Sequence, residues 1–192
     1  QNSPGVSWLD LNGDGHDDLV LGAGRGKRMR IWSNDGKGNL QTSQETILST
    51  PMRGDQTTIL GWQTAPGIGI VLVGLSGYEL STNLPASVGV FALSSQGSQA
   101  VGILSASANV GPLAAADLDN DGDLDLFAGG QAEPGRYPVA ARSVIFRQTE
   151  GRFAEDSENT LRLAGVGLVN GAVWSDLDGD AVRQPGGERP CR

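Results

Sequence analysis

Two short stretches of the 192-residue chain place oxygen-bearing side chains at alternate positions: "DLNGDGHDDLVLG" from Asp10 and "DLDNDGDLDLFAG" from Asp117. In the first, Asp10, Asn12, Asp14 and Asp18 stand at positions 1, 3, 5 and 9, with Gly15 at position 6. In the second the same places hold Asp117, Asp119, Asp121, Asp125 and Gly122. Carboxylates crowded in this way repel one another unless water or a cation screens them. Calcium is a hard cation that takes several oxygen ligands, and a loop donating from positions 1, 3, 5, 7 and 9 wraps one, with glycine at position 6 for the sharp turn. Position 7 donates its backbone carbonyl, so His16 and Asp123 complete the two ligand sets. Ca2+ is therefore the expected cofactor. Softer metals are poorly served, because neither loop contains cysteine and the His16 side chain is expected to face solvent.

The EF-hand shares the start of this pattern but needs a bidentate Glu at position 12 and a helix on each side. Position 12 here is Leu21 or Ala128, and the flanks read as strands. A paired-helix dockerin is excluded too, since its loops lie close in sequence and these lie 107 residues apart.

The elements that must position the loops recur with them. A third start, "DLDGD", begins at Asp176, and a divergent copy, "ILGWQTAPGIGIVLVGLSG" from Ile59, puts Gln63 where an aspartate would open the loop. Starts near residues 10, 63, 117 and 176 give an interval within the range of propeller blades. Within the first copy, Val6 and Trp8 lead into the acidic loop; "DLVLGAG" and "MRIWSN" read as strands, "DGKG" as a turn and "NLQTSQ" as a weak fourth strand. The second copy offers "GIVLVG" and the alternating "SVGVFAL"; the third offers "DLFAGG", "RSVIFRQ" and "GRFAED". No segment shows a helical period. The expected fold is all-β: an incomplete β-propeller of four-stranded antiparallel blades with calcium loops. Its parts are a blade with a calcium loop at 1–58, a divergent blade at 59–112, a second calcium-loop blade at 113–168, and the start of a further blade at 169–192.

The loops, their strand context and their spacing resemble FG-GAP or VCBS repeats, the calcium-binding blades of integrin α-chain-like propellers. The third copy, "DLDNDGDLDLFAGG" with "PGRYPVAARSVIFRQTEGRFAED", is similar to bacterial secreted VCBS proteins of the group carrying ASPIC/UnbV-type domains. The resemblance implies structural calcium sites joining the first two strands of a blade, at Asp10, Asn12, Asp14 and Asp18 and at Asp117, Asp119, Asp121 and Asp125.

Composition agrees with a turn-dense β protein: 29 glycines, 5% aromatic residues and a formal charge of -8. An acidic surface repels phosphate, so nucleic acid is not an expected partner; the cluster Arg25, Lys27, Arg28 and Arg30 reads as a solvated hairpin face. Membrane insertion is not expected, since the longest apolar run, Ile68 to Leu75, is short and broken by Gly69 and Gly74. "GAGRGKR" misses both phosphate-loop patterns, and its glycines are expected to turn the chain between strands. Trp8, Trp32, Trp62 and Trp174 are expected to pack blades rather than stack sugars, with Trp8 and Trp174 in corresponding strands. The fourth start keeps Asp176, Asp178 and Asp180 but replaces the turn glycine with Ala181 and loses strand character in "PGGERPCR", so the native sequence is expected to end near Asp180. The chain is read as a fragment of a longer protein, and its lone Cys191 forms no internal disulfide.

With His16 the only histidine and no nucleophile motif, no enzyme activity is expected. The expected role is a calcium-stiffened scaffold, secreted or associated with the cell envelope, that recognises an extracellular protein or glycan. Millimolar calcium outside cells suits the affinities of extracellular calcium modules, about 10⁻⁴ to 10⁻³ M. The alternatives are a non-catalytic part of a secreted enzyme acting on polysaccharide, and a purely structural spacer.

Overall fold

A computed structural model describes residues 4–43, 51–77, 87–94, 97–106, 109–133 and 136–176. These form three four-stranded antiparallel sheets, an all-β arrangement consistent with propeller blades. The first sheet contains β1 (Val6–Leu9), β2 (Asp18–Leu21), β3 (Arg30–Asn34) and β4 (Leu40–Thr42) in chain order. The second contains β5 (Asp55–Ala65), β6 (Ile68–Ser76), β7 (Ser87–Ser94) and β8 (Gly97–Ser105), and the third β9 (Val110–Ala116), β10 (Asp125–Gly130), β11 (Val144–Thr149) and β12 (Arg152–Glu155).

The second sheet lies between the other two, and the alternation of its side chains shows how. Leu72, Val88 and Val90 pack with Val110, Leu113, Leu126, Val144 and Phe146 of the third sheet. Their neighbours in sequence, Val71, Val73, Phe91 and Leu93, point the other way, onto Leu9, Val20, Met29 and Ile31 of the first. Because successive strand residues face opposite sides, a strand buried on both faces must be apolar throughout. That is why "IVLV" and "VGVFAL" read as unbroken apolar runs.

Polar groups lock the seams. Between the first two sheets the fully buried Gln56 accepts from Ala23 N at 3.0 Å through Oε1, and Asp55 Oδ1 accepts from Arg25 N at 2.8 Å. Those bonds fix the "GAGRGKR" segment as a turn between β2 and β3, with Gly26 at φ 70° and its three basic side chains, Arg25, Lys27 and Arg28, exposed, as is Arg30 at the start of β3. At the second seam Thr58 Oγ1 donates to Gly111 O at 2.6 Å.

Three expectations are corrected. In the second copy β5 continues through Gln63 to Ala65, and the Pro66–Gly67 turn, with Gly67 at φ 70°, replaces the acidic loop. A short helix, α1 (Ser157–Arg162), follows β12 where no helical period is visible; at six residues it is too short to show one. Its signature is local: Asp156 Oδ1 caps it by accepting from Asn159 N at 3.0 Å, and Arg162 pairs with Glu158 at 2.7 Å. Trp174 lies outside the strands, and Val169 N donates to Gly130 O at 3.0 Å, laying this segment against the third sheet. There Trp174 meets Phe127 edge to face at 6.5 Å, whereas Trp8 on β1 is 54% exposed among the described residues. Trp62 fits its expected role, packed against the core between the second and third sheets. Of the fourth loop only Asp176 is described; Asp178, Asp180, Ala181 and Cys191 lie outside the described residues.

Candidate metal centres

Both acidic loops join the first strand of a sheet to the second: residues 10–17 connect β1 to β2, and 117–124 connect β9 to β10. Each first aspartate is turned inward as a hub for backbone N–H groups. Asp10 Oδ1 accepts from Gly13 N at 2.7 Å and Asp14 N at 3.2 Å, and its Oδ2 from Gly15 N at 2.9 Å. Asp117 repeats this with Asp121 N at 3.2 Å and Gly122 N at 3.1 Å. The position-6 glycines, Gly15 and Gly122, have φ of 84° and 96°, a conformation that glycine adopts without steric cost. Asp14 and Asp121 each accept from the backbone N–H two residues on, His16 N and Asp123 N, at 2.9 Å.

The ninth-position aspartates are buried and tie the loop to the sheet. Asp18 accepts from Asn34 N at 2.9 Å and Leu11 N at 3.3 Å; Asp125 accepts from Gln148 N at 2.9 Å and Leu118 N at 3.0 Å. Burial pushes both carboxyls above the usual carboxylate range, against the pull of those backbone N–H groups. For Asp18 the negative charges of Asp14 and Asp10 push the same way. In the third sheet the Arg147 guanidinium opposes the rise.

Position 7 reaches the neighbouring hairpin in both loops. The exposed His16 imidazole lies against Gly36 in the β3–β4 turn, while Asp123 Oδ2 accepts from Glu150 N at 2.9 Å in the β11–β12 turn. Neither contact consumes the position-7 carbonyl.

Asp117, Asp119 and Asp121 place carboxylate oxygens within 4.8 Å of one another, a spacing able to hold a metal ion. In the first loop position 3 is an amide, and Asn12 Nδ2 donates to Asp14 Oδ2 at 3.0 Å while Asn12 Oδ1 accepts from Asp14 N at 3.0 Å. The donor sets are hard oxygens throughout, which fits calcium rather than a thiophilic metal.

Residues 10–61 match the family model of the FG-GAP-like repeat. The match begins at the first aspartate of the first loop and ends within β5, so it spans the loop and β2 to β4 but not β1. No curated protein matches the chain. Repeats of the FG-GAP type are typical of extracellular β-propeller proteins, and among the described residues no helix is long and apolar enough to cross a membrane.

Two residues that the sequence reading passed over, Arg147 and Asp156, shape these centres, as does Gln63, which it placed only as the stand-in for a loop-opening aspartate. Arg147 pairs with Asp125 at 2.7 Å, Asp119 at 3.3 Å and Asp156 at 3.0 Å. Asp156 both caps α1 and holds Arg147, and these contacts, led by the Asn159 N–H, lower its pKa to about 2. Gln63 Nε2 donates to Asp10 O at 3.2 Å, so the sheet without an acidic loop supports its neighbour's. The available signal for Arg147 is a lone charge inside the apolar run "VIFRQ", one residue before the amide that binds Asp125.

Proposed function

We infer that the chain is a calcium-binding, non-catalytic scaffold of propeller blades that presents a surface for recognising an extracellular protein or glycan. What supports this reading most is the shared construction of the two loops. In each, an aspartate hub orders the backbone, further oxygens gather at alternate positions, and a buried ninth-position aspartate fastens the loop to the second and third strands. Calcium at Asp10, Asn12, Asp14, Asp18 and the His16 carbonyl, and at Asp117, Asp119, Asp121, Asp125 and the Asp123 carbonyl, would replace carboxylate repulsion with coordination. It would thereby stiffen the edge of the sheet that carries the loop. The FG-GAP-like match supports an extracytoplasmic setting, and the third copy's likeness extends the reading to secreted VCBS proteins.

Calorimetric calcium titration of the whole chain tests it, alongside thermal melting with chelator and with magnesium. The expected result is saturable binding of about two ions and a calcium-specific rise in melting temperature, as ligand linkage requires. A folded sample that takes up no calcium would overturn the metal reading. Retention on a glycan array or on extracellular protein tests recognition, and a calcium-loaded protein retained on neither would leave a spacer.

A further inference from the structure

Arg147 occupies a place that the first sheet fills differently. In the third sheet Leu126 of β10 pairs with Phe146 of β11, and in the first Leu19 of β2 pairs with Trp32 of β3. The next residues are Arg147 and Ser33, and the residues after those, Gln148 and Asn34, both donate their backbone N–H to the ninth-position aspartate at 2.9 Å. Ser33 is thus the counterpart of Arg147. The charges differ in step. The first loop's ligand side chains include three carboxylates and the amide of Asn12; the third has four carboxylates, with Asp119 where Asn12 stands. Arg147 supplies the compensating positive charge, its Nη1 shared between Asp119 Oδ2 and Asp125 Oδ2.

We propose that Arg147 is a tethered counter-cation that holds the third loop together without metal and competes with calcium there, so that both loops fill over a similar calcium range. This rests on the calcium reading above. Without Arg147, four carboxylates would bind a divalent ion more tightly than the three carboxylates and one amide of the first loop. With it, an entering ion must take Asp119 from the guanidinium and bind beside a like charge. Asp156 gives the arginine an anchor away from the loop, through Nε at 3.0 Å. One unit charge beside a divalent ion under aqueous screening changes affinity about tenfold.

Nitrogen–proton NMR of the whole chain during calcium titration reads each loop separately, through the Gly15 and Gly122 amides. Arg147→Gln should shift the Gly122 midpoint to about tenfold lower calcium and leave Gly15 unmoved. Arg147→Lys, which keeps the charge, should stay near the wild-type midpoint. Ser33→Arg, placed in a sheet that Arg147 does not touch, should move Gly15 to higher calcium whatever the folding of the Arg147 variants. An unchanged or raised Gly122 midpoint in Arg147→Gln would overturn the proposal, as would a Lys variant that shifts as far as the Gln variant. If Gly122 is silent in both the wild type and Arg147→Gln while Gly15 responds, the counter-cation idea falls and calcium binding stands. If neither glycine responds in any folded variant, both readings fall.

Discussion

At the fourth position of the loop at residues 10–18 stands Gly13, with φ 79°, and a Cβ there would come within 2.7 Å of the Gly67 Cα in the second sheet. At the same position of the loop at 117–125 stands Asn120, with φ 60°, a conformation asparagine tolerates better than most side-chain-bearing residues. The first loop is wedged against its neighbour's Pro66–Gly67 turn, and Gln63 reaches across to it; the third is held from its own sheet, by Arg147. The same backbone plan is thus secured by an intersheet contact in one place and by an ion-pair network in the other. Each kind of support fails to a different substitution.

The largest contrast is expected at the ninth position. Asp125→Ala removes the carboxylate that accepts from two backbone N–H groups and leaves Arg147 with one partner fewer, at about 3 kcal/mol, the lower end for breaking a buried pair. Asp18→Ala leaves two amide donors without a carboxylate but no guanidinium, and should cost about 2 kcal/mol. Urea denaturation in chelator measures both. Equal losses would mean that the ion pair adds nothing to the third loop in the absence of metal.

Next comes the wedge. Gly13→Ala drives a methyl into the Gly67 backbone and strains a positive φ, and overpacking of this kind costs about 1 to 3 kcal/mol. Because the clash is with the second sheet, the substitution should lower the melting temperature and weaken calcium binding at the first loop while the Gly122 response stays in place. A wild-type melting curve would sink the idea that the second sheet supports its neighbour's loop.

Much of this arrangement can be read from the chain, for identifiable reasons. The acidic loops are legible because their alternating oxygen-bearing side chains, glycine and following strand all lie within about a dozen residues, and the unbroken apolar runs of β6 and β7 announce strands covered on both faces. The failures involve partners distant in sequence or elements too short to carry a period. Arg147 is 22 residues from Asp125, and only the β10–β11 register brings them together. The six-residue α1 has a cap but no period. Trp8 and Trp174 share a spacing to the loops, yet one lies on an uncovered sheet face and the other in a segment laid over a sheet.

Asp156 separates the two supports by pH. Its folded pKa of about 2 lies below the unfolded value near 3.8, so it contributes stability that is full above about pH 4 and is lost as pH falls through about 2. Asp156→Ala should cost about 1 kcal/mol at neutral pH, the usual value of an N-cap, and should flatten the acid limb of the stability profile. Chelator-treated protein followed by circular dichroism from pH 5 to pH 2 checks this. A variant that loses stability over the same acid range as the wild type would show that other carboxylates dominate there.

The smallest expected effect is also the sharpest discriminator between the loops. Asn120→Gly removes a side chain that makes no hydrogen bond among the described residues and relaxes a positive φ, while adding freedom to the unfolded chain; these oppose each other and leave a net change within about 0.5 kcal/mol. The reciprocal exchange, Gly13→Asn, keeps a residue suited to positive φ, so conformational strain is no longer the main objection, yet it still places a side chain against Gly67. If the wedge is steric, Gly13→Asn should be nearly as damaging as Gly13→Ala. If it is instead a matter of backbone conformation, Gly13→Asn should approach wild-type stability, because asparagine is already accepted at the matching position of the third loop.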